Sequence, residues 1–416
     1  IFIGQGVGYL GNATTNVSFP FVTICLAITL TLGIGSSTRF SIYLGKKQEE
    51  MAAKTAALGI SLLAFVGILY ALLAEIFCVP LLKAFGATSD ILPMALEYTR
   101  IIILGMPFLM LMNGCCHLAR ADGSPNFSML AMLLGAVINT ILDAVFIFVL
   151  HLGVKGAAWA TIIGQIASFL LAASYLPRFK RVTLKKEYFR LDFKDGLTTC
   201  KMGMSQGLNQ LAITIVQVIM NQSLVYYGAL SVYGSEIPLA ASGVVLKVNS
   251  LVLAVIIGVN QGMQPIVGFN YGAKIYSRVK QTYKCALLGD LVFTCAGLFM
   301  FQVFPEKILA LFGGGDAKYT EFAVKFMRTF LLMLPLIGVQ MISSNFFTAI
   351  GKAYKGALLA LTRSVFCFVP IVLILPRFLG ITGILCTAPI ADFLACLVVV
   401  CFITNEMKNL EKLAVN

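Results

Sequence analysis

Residues 138–165 read INTILDAVFIFVLHLGVKGAAWATIIGQ: two apolar runs joined at His151-Leu152-Gly153, with one acid, Asp143, inside the first. Asn139 and Asp143 stand four residues apart, the spacing that puts two side chains on one face of a helix. Thr161 and Gln165 repeat that spacing in the second run. A helix needs roughly 20 apolar residues to cross about 30 Å of hydrocarbon, and each run reaches that length with its neighbours. An ionisable side chain in such a segment is costly; it faces a bundle interior or a watery cavity and is by default a candidate for ion or proton handling.

The rest of the chain has the same character. Of 416 residues, 59% are hydrophobic and 12% charged, and the mean hydropathy is +0.91. Too few charges remain to clothe the surface of a soluble globule. The composition gives an all-α polytopic membrane protein, multi-pass in a cell membrane. Eleven complete apolar runs lie near 13–42, 53–80, 92–118, 126–150, 152–176, 200–228, 238–268, 282–304, 322–348, 354–376 and 381–404. The opening Ile1-Phe2-Ile3-Gly4 reads as the last turn of a further, truncated span, which would bring the count to twelve.

The two halves repeat. Gly35, Gly45, Phe85, Gly153 and Gly156 match Gly262, Gly272, Phe312, Gly380 and Gly383 at an offset of 227; Arg100, Pro107 and Gly123 match Arg328, Pro335 and Gly351 at 228. An offset of 227 or 228 shared by eight pairs marks an internal duplication. The expected organisation is an amino-terminal lobe (1–177), a basic linker (178–199), a carboxy-terminal lobe (200–404) and a tail (405–416). With six spans in each lobe the repeats are parallel, related by an axis along the membrane normal.

Placing linker and tail in the cytoplasm puts 21 of the 31 basic residues in cytoplasmic loops or their margins, Arg120, Lys352, Lys355 and Arg363 among them. The positive-inside rule is met, and the net charge of +13 reads as topology rather than as a nucleic-acid surface. The linker's charges read as a solvated loop, with an anionic-lipid contact as the alternative.

Enzyme chemistry finds little support. The eleven cysteines are scattered, Cys115 and Cys116 adjoin without C-x-x-C spacing, and the histidines are only His117 and His151, so no cofactor or metal constellation is expected. No G-x-x-x-x-G-K-[ST] loop offers to hold nucleotide phosphates. Asp143 and Thr161 are expected at similar depth in the outer half of the bilayer, with Gly153-x-x-Gly156-Ala157-Ala158 letting the helices approach so that Thr161 and Gln165 face Asn139 and Asp143. Two amides, a hydroxyl and a carboxylate suit a proton or a hard cation such as sodium. The alternative reading is interhelical hydrogen bonding alone.

Asn139-x-x-x-Asp143 with Phe146-Ile147-Phe148, followed by Gly153-x-x-Gly156-Ala157-Ala158-x-Ala160-Thr161-x-x-x-Gln165, resembles the fifth and sixth helices of the multidrug and toxic compound extrusion (MATE) family. Gly33-x-Gly35-Ser36-Ser37 with Tyr43-Leu44-Gly45 is similar to its second helix. Arg120-x-x-Gly123-x-Pro125 is similar to the loop after the fourth, and Gln261-Gly262-x-x-Pro265-x-x-Gly268-x-Asn270-Tyr271-Gly272 to the eighth. The resemblance implies two six-helix lobes around a central cavity, alternating access, and efflux of amphipathic, often cationic drugs in exchange for protons or sodium, by a protein that works as a monomer.

In the bacterial branch related to the DNA-damage-inducible transporters, the resemblance implies a cation-responsive site in the amino-terminal lobe, where Asn139, Asp143 and Thr161 fall on its asparagine, aspartate and threonine. Another branch uses carboxylates in helices seven and ten; here the seventh offers Asn209 and Gln210, and the tenth has no acid beyond its start. Secondary cavity candidates are Asp392, which takes the repeat position of Gln165, Asp290 and Lys247. Each has a bland counterpart: helix packing for the two acids, snorkelling for the lysine. Pro20, Pro107, Pro335 and Pro370 are expected points of bending. A lipid-linked oligosaccharide flippase with a cationic groove, for which Lys247 and Arg39 are the available residues, is the rival reading; a membrane-embedded enzyme or a receptor is the next.

Overall fold

The structure, a computed structural model, describes residues 9–85, 87, 91–234, 236–311 and 317–415, and the side chains from residue 14 to residue 413 within them. The opening four residues and Phe312 of the repeat lie outside the described residues. The described elements are helical. They run α1 Tyr9–Gly45, α2 Glu49–Ile76, α3 Cys78–Ala84, α4 Leu92–Ala121, α5 Pro125–Ala144, α6 Gly153–Ala173, α7 Phe193–Ala229, α8 Glu236–Gly272, α9 Tyr276–Val303, α10 Pro305–Ala310, α11 Ala317–Phe330, α12 Leu334–Ala349, α13 Ala353–Leu361, α14 Val369–Leu379 and α15 Ile381–Val415. Two π-helical segments, Val145–Val149 and Thr362–Phe368, continue α5 and join α13 to α14.

Among the described residues ten helices are long and apolar enough to cross a membrane, and the bent pair α11–α12 makes an eleventh. That pair breaks by 45° where Pro335 opens α12. Proline lacks the N–H that would continue the ladder and crowds the preceding turn. Pro20 and Pro107 sit inside unbroken helices. Pro370 follows the second π segment at the start of α14, where its clash with the carbonyl four residues back favours a widened turn.

The chain divides into two compact units, Ile1–Gly207 and Leu208–Asn416. In the first, Phe21, Leu63, Leu82, Ile103, Met106 and Met110 form the buried core. In the second, Phe322, Phe326, Phe330 and Leu334 pack with Val245 and Val252, and a further cluster gathers around Phe346 and Phe347. The same backbone irregularities occur in both. Lys47 and Lys274 have φ of 59° and 60°, Gly123 and Gly351 88° and 79°, and Gly153 and Gly380 58° each. Four of these close helices with the same hydrogen bond: Gln48, Ser124, Ile275 and Lys352 each donate N–H to the carbonyl five residues back, which satisfies a terminal acceptor after a left-handed residue.

Two expected boundaries differ. The linker 178–199 is helical from Phe193, because the Asp192 carboxylate accepts from the N–H groups of Lys194 (2.9 Å) and Asp195 (3.2 Å) and caps α7 about two turns early. The tail is a continuation of α15 to Val415. Glu406, 1% exposed, binds the ammonium groups of Lys352 and Lys355, and Lys280 reaches Glu411 at 2.6 Å, so the last turns are held.

The start of α7 is fastened to α1 inside the first unit. Arg39 is buried, and its Nη1 donates to the Asp195 carbonyl (2.9 Å) and to Thr199 Oγ1 (2.8 Å), while Nη2 lies 3.3 Å from Asp195 Oδ1. Glycine makes this approach geometrically feasible: a Cβ on Gly203 would strike the Thr31 carbonyl oxygen and come within 2.7 Å of the Gly35 amide. Gly203→Val is therefore expected to be overpacked by about 1–3 kcal/mol. The melting temperature of the purified protein in detergent should fall by several degrees; an unchanged value would contradict this packing.

Candidate functional site

Helices α5 and α6 are joined by the turn at His151 and Gly153, both with positive φ, and run antiparallel. They lie so close that backbone faces backbone. A Cβ on Gly135 would meet Ser168 Oγ and stand 2.7 Å from the Gly164 carbonyl oxygen; a Cβ on Gly164 would meet the Gly135 carbonyl oxygen at 2.7 Å. Ser168 Oγ donates to the Ala131 carbonyl (2.8 Å) and locks the register. Nearer the turn, Gly156 fits under Phe146, whose Cβ would be 2.9 Å from an added Cβ.

In this register Asn139 faces Thr161. Asn139 Nδ2 donates to Thr161 Oγ1 at 3.3 Å, and Thr161 Oγ1 donates to the Ala157 carbonyl at 2.9 Å. Asp143 lies one turn further along α5, half-buried, at the last turn before the π segment. Its Oδ1 is fully buried and has no hydrogen-bond partner among the described residues. Tyr98 of α4 lies within electrostatic range of that carboxyl.

Gln165 does not join Asp143. In an antiparallel pair, one turn onward in α6 is one turn backward relative to α5, so the two lie about 12 Å apart along the helix axes at roughly 1.5 Å per residue. The Gln165 side chain turns to α4, where a Cβ on Gly105 would come within 2.5 Å of its Oε1. That oxygen is also buried without a donor among the described residues. The expected four-residue pocket is thus an Asn139–Thr161 hydrogen bond flanked by two separate orphan acceptors. Two recesses of this unit lie elsewhere: about 580 Å³ bordered by Glu49, Lys54, Lys185, Tyr188 and Arg190, and about 390 Å³ among Phe21, Tyr70, Phe77 and Phe85.

The secondary candidates lie in the second unit. Asp392 of α15 is buried and takes the Arg363 Nε–H at 2.6 Å. Asp290 of α9 is 1% exposed, with both oxygens unpartnered among the described residues and its carboxyl against Gly338 of α12. Lys247 of α8 is exposed and forms no ion pair among the described residues. Asn209 and Gln210 occupy half-buried positions of α7. His117 is buried, and Arg120 Nη2 donates to its Nδ1 (2.9 Å) while Arg120 Nη1 donates to Ser128 Oγ (2.6 Å), tying α4 to α5.

Tyr98, Gly105, Gly135, Gly164 and Arg363 were not singled out as site residues by sequence reasoning. Gly135 and Gly164 carry a signal, one glycine on each helix of the pair that the turn joins. Tyr98 carries none. Arg363, counted with the charges of a cytoplasmic margin, stands ten residues inside its span.

The family model MatE matches residues 2–145 and 208–374. The Multidrug export protein MepA of Staphylococcus haemolyticus (strain JCSC1435) is 24% identical over 414 residues, 97% of this chain and 88% of that protein. The Probable multidrug resistance protein YoeA of Bacillus subtilis (strain 168) is 23% identical over 342 residues, 80% of this chain and 71% of that one. Among solved structures, an outward-facing multidrug resistance MATE transporter superposes with a TM-score of 0.91 at 23% identity, covering 98% of this chain and 90% of the other. A MOP superfamily transporter from Pyrococcus furiosus Vc1 (DSM3638) gives the same score, identity and coverage.

Because Gly135 has a backbone carbonyl in front of it, Gly135→Val is expected to push α5 from α6 and break the Asn139–Thr161 bond, at about 1–3 kcal/mol. A lowered melting temperature together with lost transport is the expected pair of results. Full transport at an unchanged melting temperature would show that the helices do not need this contact.

Proposed function

We propose that this chain, which belongs to the MatE family, is a multidrug efflux transporter that exchanges amphipathic, often cationic drugs for a proton or sodium ion at Asp143. It is a multi-pass cell-membrane protein and a transporter rather than an enzyme. The observation that carries the coupling is the buried Oδ1 of Asp143 inside a span, unpartnered among the described residues. A bare carboxylate there is expensive unless a positive charge is supplied, and a proton or sodium ion is the smallest such charge. Asn139 and Thr161, one turn deeper, are bonded to each other and can add an amide oxygen and a hydroxyl oxygen to a cation's shell.

Drug and cation then compete. A cation at Asp143 removes the need for a cationic drug's charge, and a drug's departure leaves the carboxyl to be neutralised again. The ion drives the conformational cycle only through a difference in affinity between inward and outward states. Turning a population from 1:99 to 99:1 takes about 5.5 kcal/mol of such difference. The π segment directly after Asp143 supports this role, since such widened turns gather at functional sites and where helices change shape. The flippase reading loses one of its two cations, because the Arg39 guanidinium is held by Asp195 and Thr199 in the α1–α7 fastening.

In proteoliposomes holding the protein as a monomer, an imposed pH or sodium gradient should drive efflux of ethidium. Asp143→Asn is expected to lower the gradient-driven rate at least about tenfold, the loss of roughly 1.4 kcal/mol from a coupling typically worth about 1–3 kcal/mol. Undiminished gradient-driven efflux in the variant would reduce Asp143 to a helix-packing group. Absence of gradient-driven efflux from the unaltered protein would overturn the exchange reading itself.

A further inference from the structure

Arg363 is a guanidinium in the interior of a span. It stands ten residues after Ala353 and sixteen before Leu379 in a span of 27 residues, so it is no closer than about 15 Å to either end at roughly 1.5 Å per residue. Its only partner among the described residues is Asp392, which receives the Nε–H at 2.6 Å. The two side chains differ sharply in exposure: the Asp392 side chain is 0% exposed and that of Arg363 24%. Asp392 occupies the position that the 227-residue offset assigns to Gln165, so a neutral orphan acceptor in the first unit corresponds to a charged pair in the second.

The pairing leaves chemistry unspent. Arginine carries five N–H donors in a planar fork, and a carboxylate or phosphate fills two of them at once. Here Asp392 takes the Nε–H by one oxygen, and the Nη edge has no partner among the described residues. A mid-span guanidinium faces the bundle interior or a water-filled cavity rather than lipid, because a charge in contact with hydrocarbon at that depth is expensive. Asp392 also cancels the arginine's charge while the fork waits, so the empty site is tolerable within the bilayer. The widened π turn from Thr362 to Phe368 carries Arg363 and sets the direction of its side chain apart from the regular helix on either side.

From these observations we infer that the Nη edge of Arg363, aimed by Asp392, recognises an anionic group, a carboxylate, sulfonate or phosphate, on the transported compound. The second unit would thereby admit zwitterionic amphiphiles alongside the cations. This rests on the drug-export reading above and adds a substrate class to it. Arg363 is the contacting residue; Asp392 is a positioning residue.

A matched pair of dyes tests it: rhodamine B, which bears a free carboxylate, and its methyl ester, which does not. Fluorescence anisotropy would measure binding of each to the full chain, unaltered and as Arg363→Gln, Arg363→Lys and the double variant Arg363→Gln/Asp392→Asn. The double variant removes both charges together and so avoids leaving a buried carboxylate alone. Loss of a charge-assisted hydrogen bond predicts at least about a tenfold weakening of the free acid in both glutamine-bearing variants, with the ester bound within about twofold of the unaltered protein. Arg363→Lys should keep part of the affinity for the acid, having charge without the fork. Equal weakening of acid and ester would make the pair structural and overturn the inference, as would an unchanged affinity for the acid in the double variant. If the unaltered protein bound neither dye, the drug-export reading would fail and this inference with it.

Discussion

Hydrocarbon offers the peptide group no hydrogen bond. Every N–H and C=O in a spanning segment must be satisfied by the segment itself, and that constraint makes the described chain helical from α1 to α15. It also decides where the exceptions fall. Among the described departures from the helical ladder are chain turns with left-handed residues, the break at Pro335, and two π segments that keep their backbone bonds by reaching five residues back. Irregular backbone within a membrane persists where protein or a cavity surrounds it, and one of these segments follows Asp143 while the other carries Arg363.

Side chains meet the same constraint less completely, and the incompleteness is where function is legible. Gly135 and Gly164 let α5 and α6 touch backbone to backbone, and the register this imposes pairs Asn139 with Thr161. It also separates Asp143 from Gln165, each of which has a buried oxygen lacking a donor among the described residues. The two acceptors differ in what they need: an amide oxygen tolerates solitude at modest cost, whereas a carboxylate demands a charge. The second unit solves a related problem with an internal counter-ion, Arg363 against Asp392, and leaves Asp290 with none among the described residues.

The eleven complete spans were readable from apolar run length, because hydrocarbon thickness fixes how long such a run must be. The repeat offset is read from glycines, a proline, an arginine and a phenylalanine, and three pairs of positive-φ residues, Lys47 and Lys274, Gly123 and Gly351, and Gly153 and Gly380, stand at that spacing. Helix ends were less accessible. Asp192 is a recognisable cap, yet a basic linker conceals it; the helical tail depends on Glu406 meeting Lys352 and Lys355, residues more than 50 positions away. Register was the chief difficulty at the site. Spacing of four places Asp143 with Asn139 and Gln165 with Thr161, but antiparallel packing sends the two pairs in opposite directions, and no one-dimensional pattern shows where the helices cross. Arg363 was hidden for a similar reason, since a charge near a span's end and a charge paired within it look alike in sequence.

Ion release on drug binding tests the central claim most directly. Adding ethidium to the purified protein in weakly buffered detergent solution, with a pH dye and a sodium-selective electrode read together, counts the ions displaced. The unaltered protein is expected to release protons or sodium as drug binds, and Asp143→Asn to bind drug without that release. Equal ion release from both proteins would contradict it, because the exchanging cation would then reside somewhere other than Asp143.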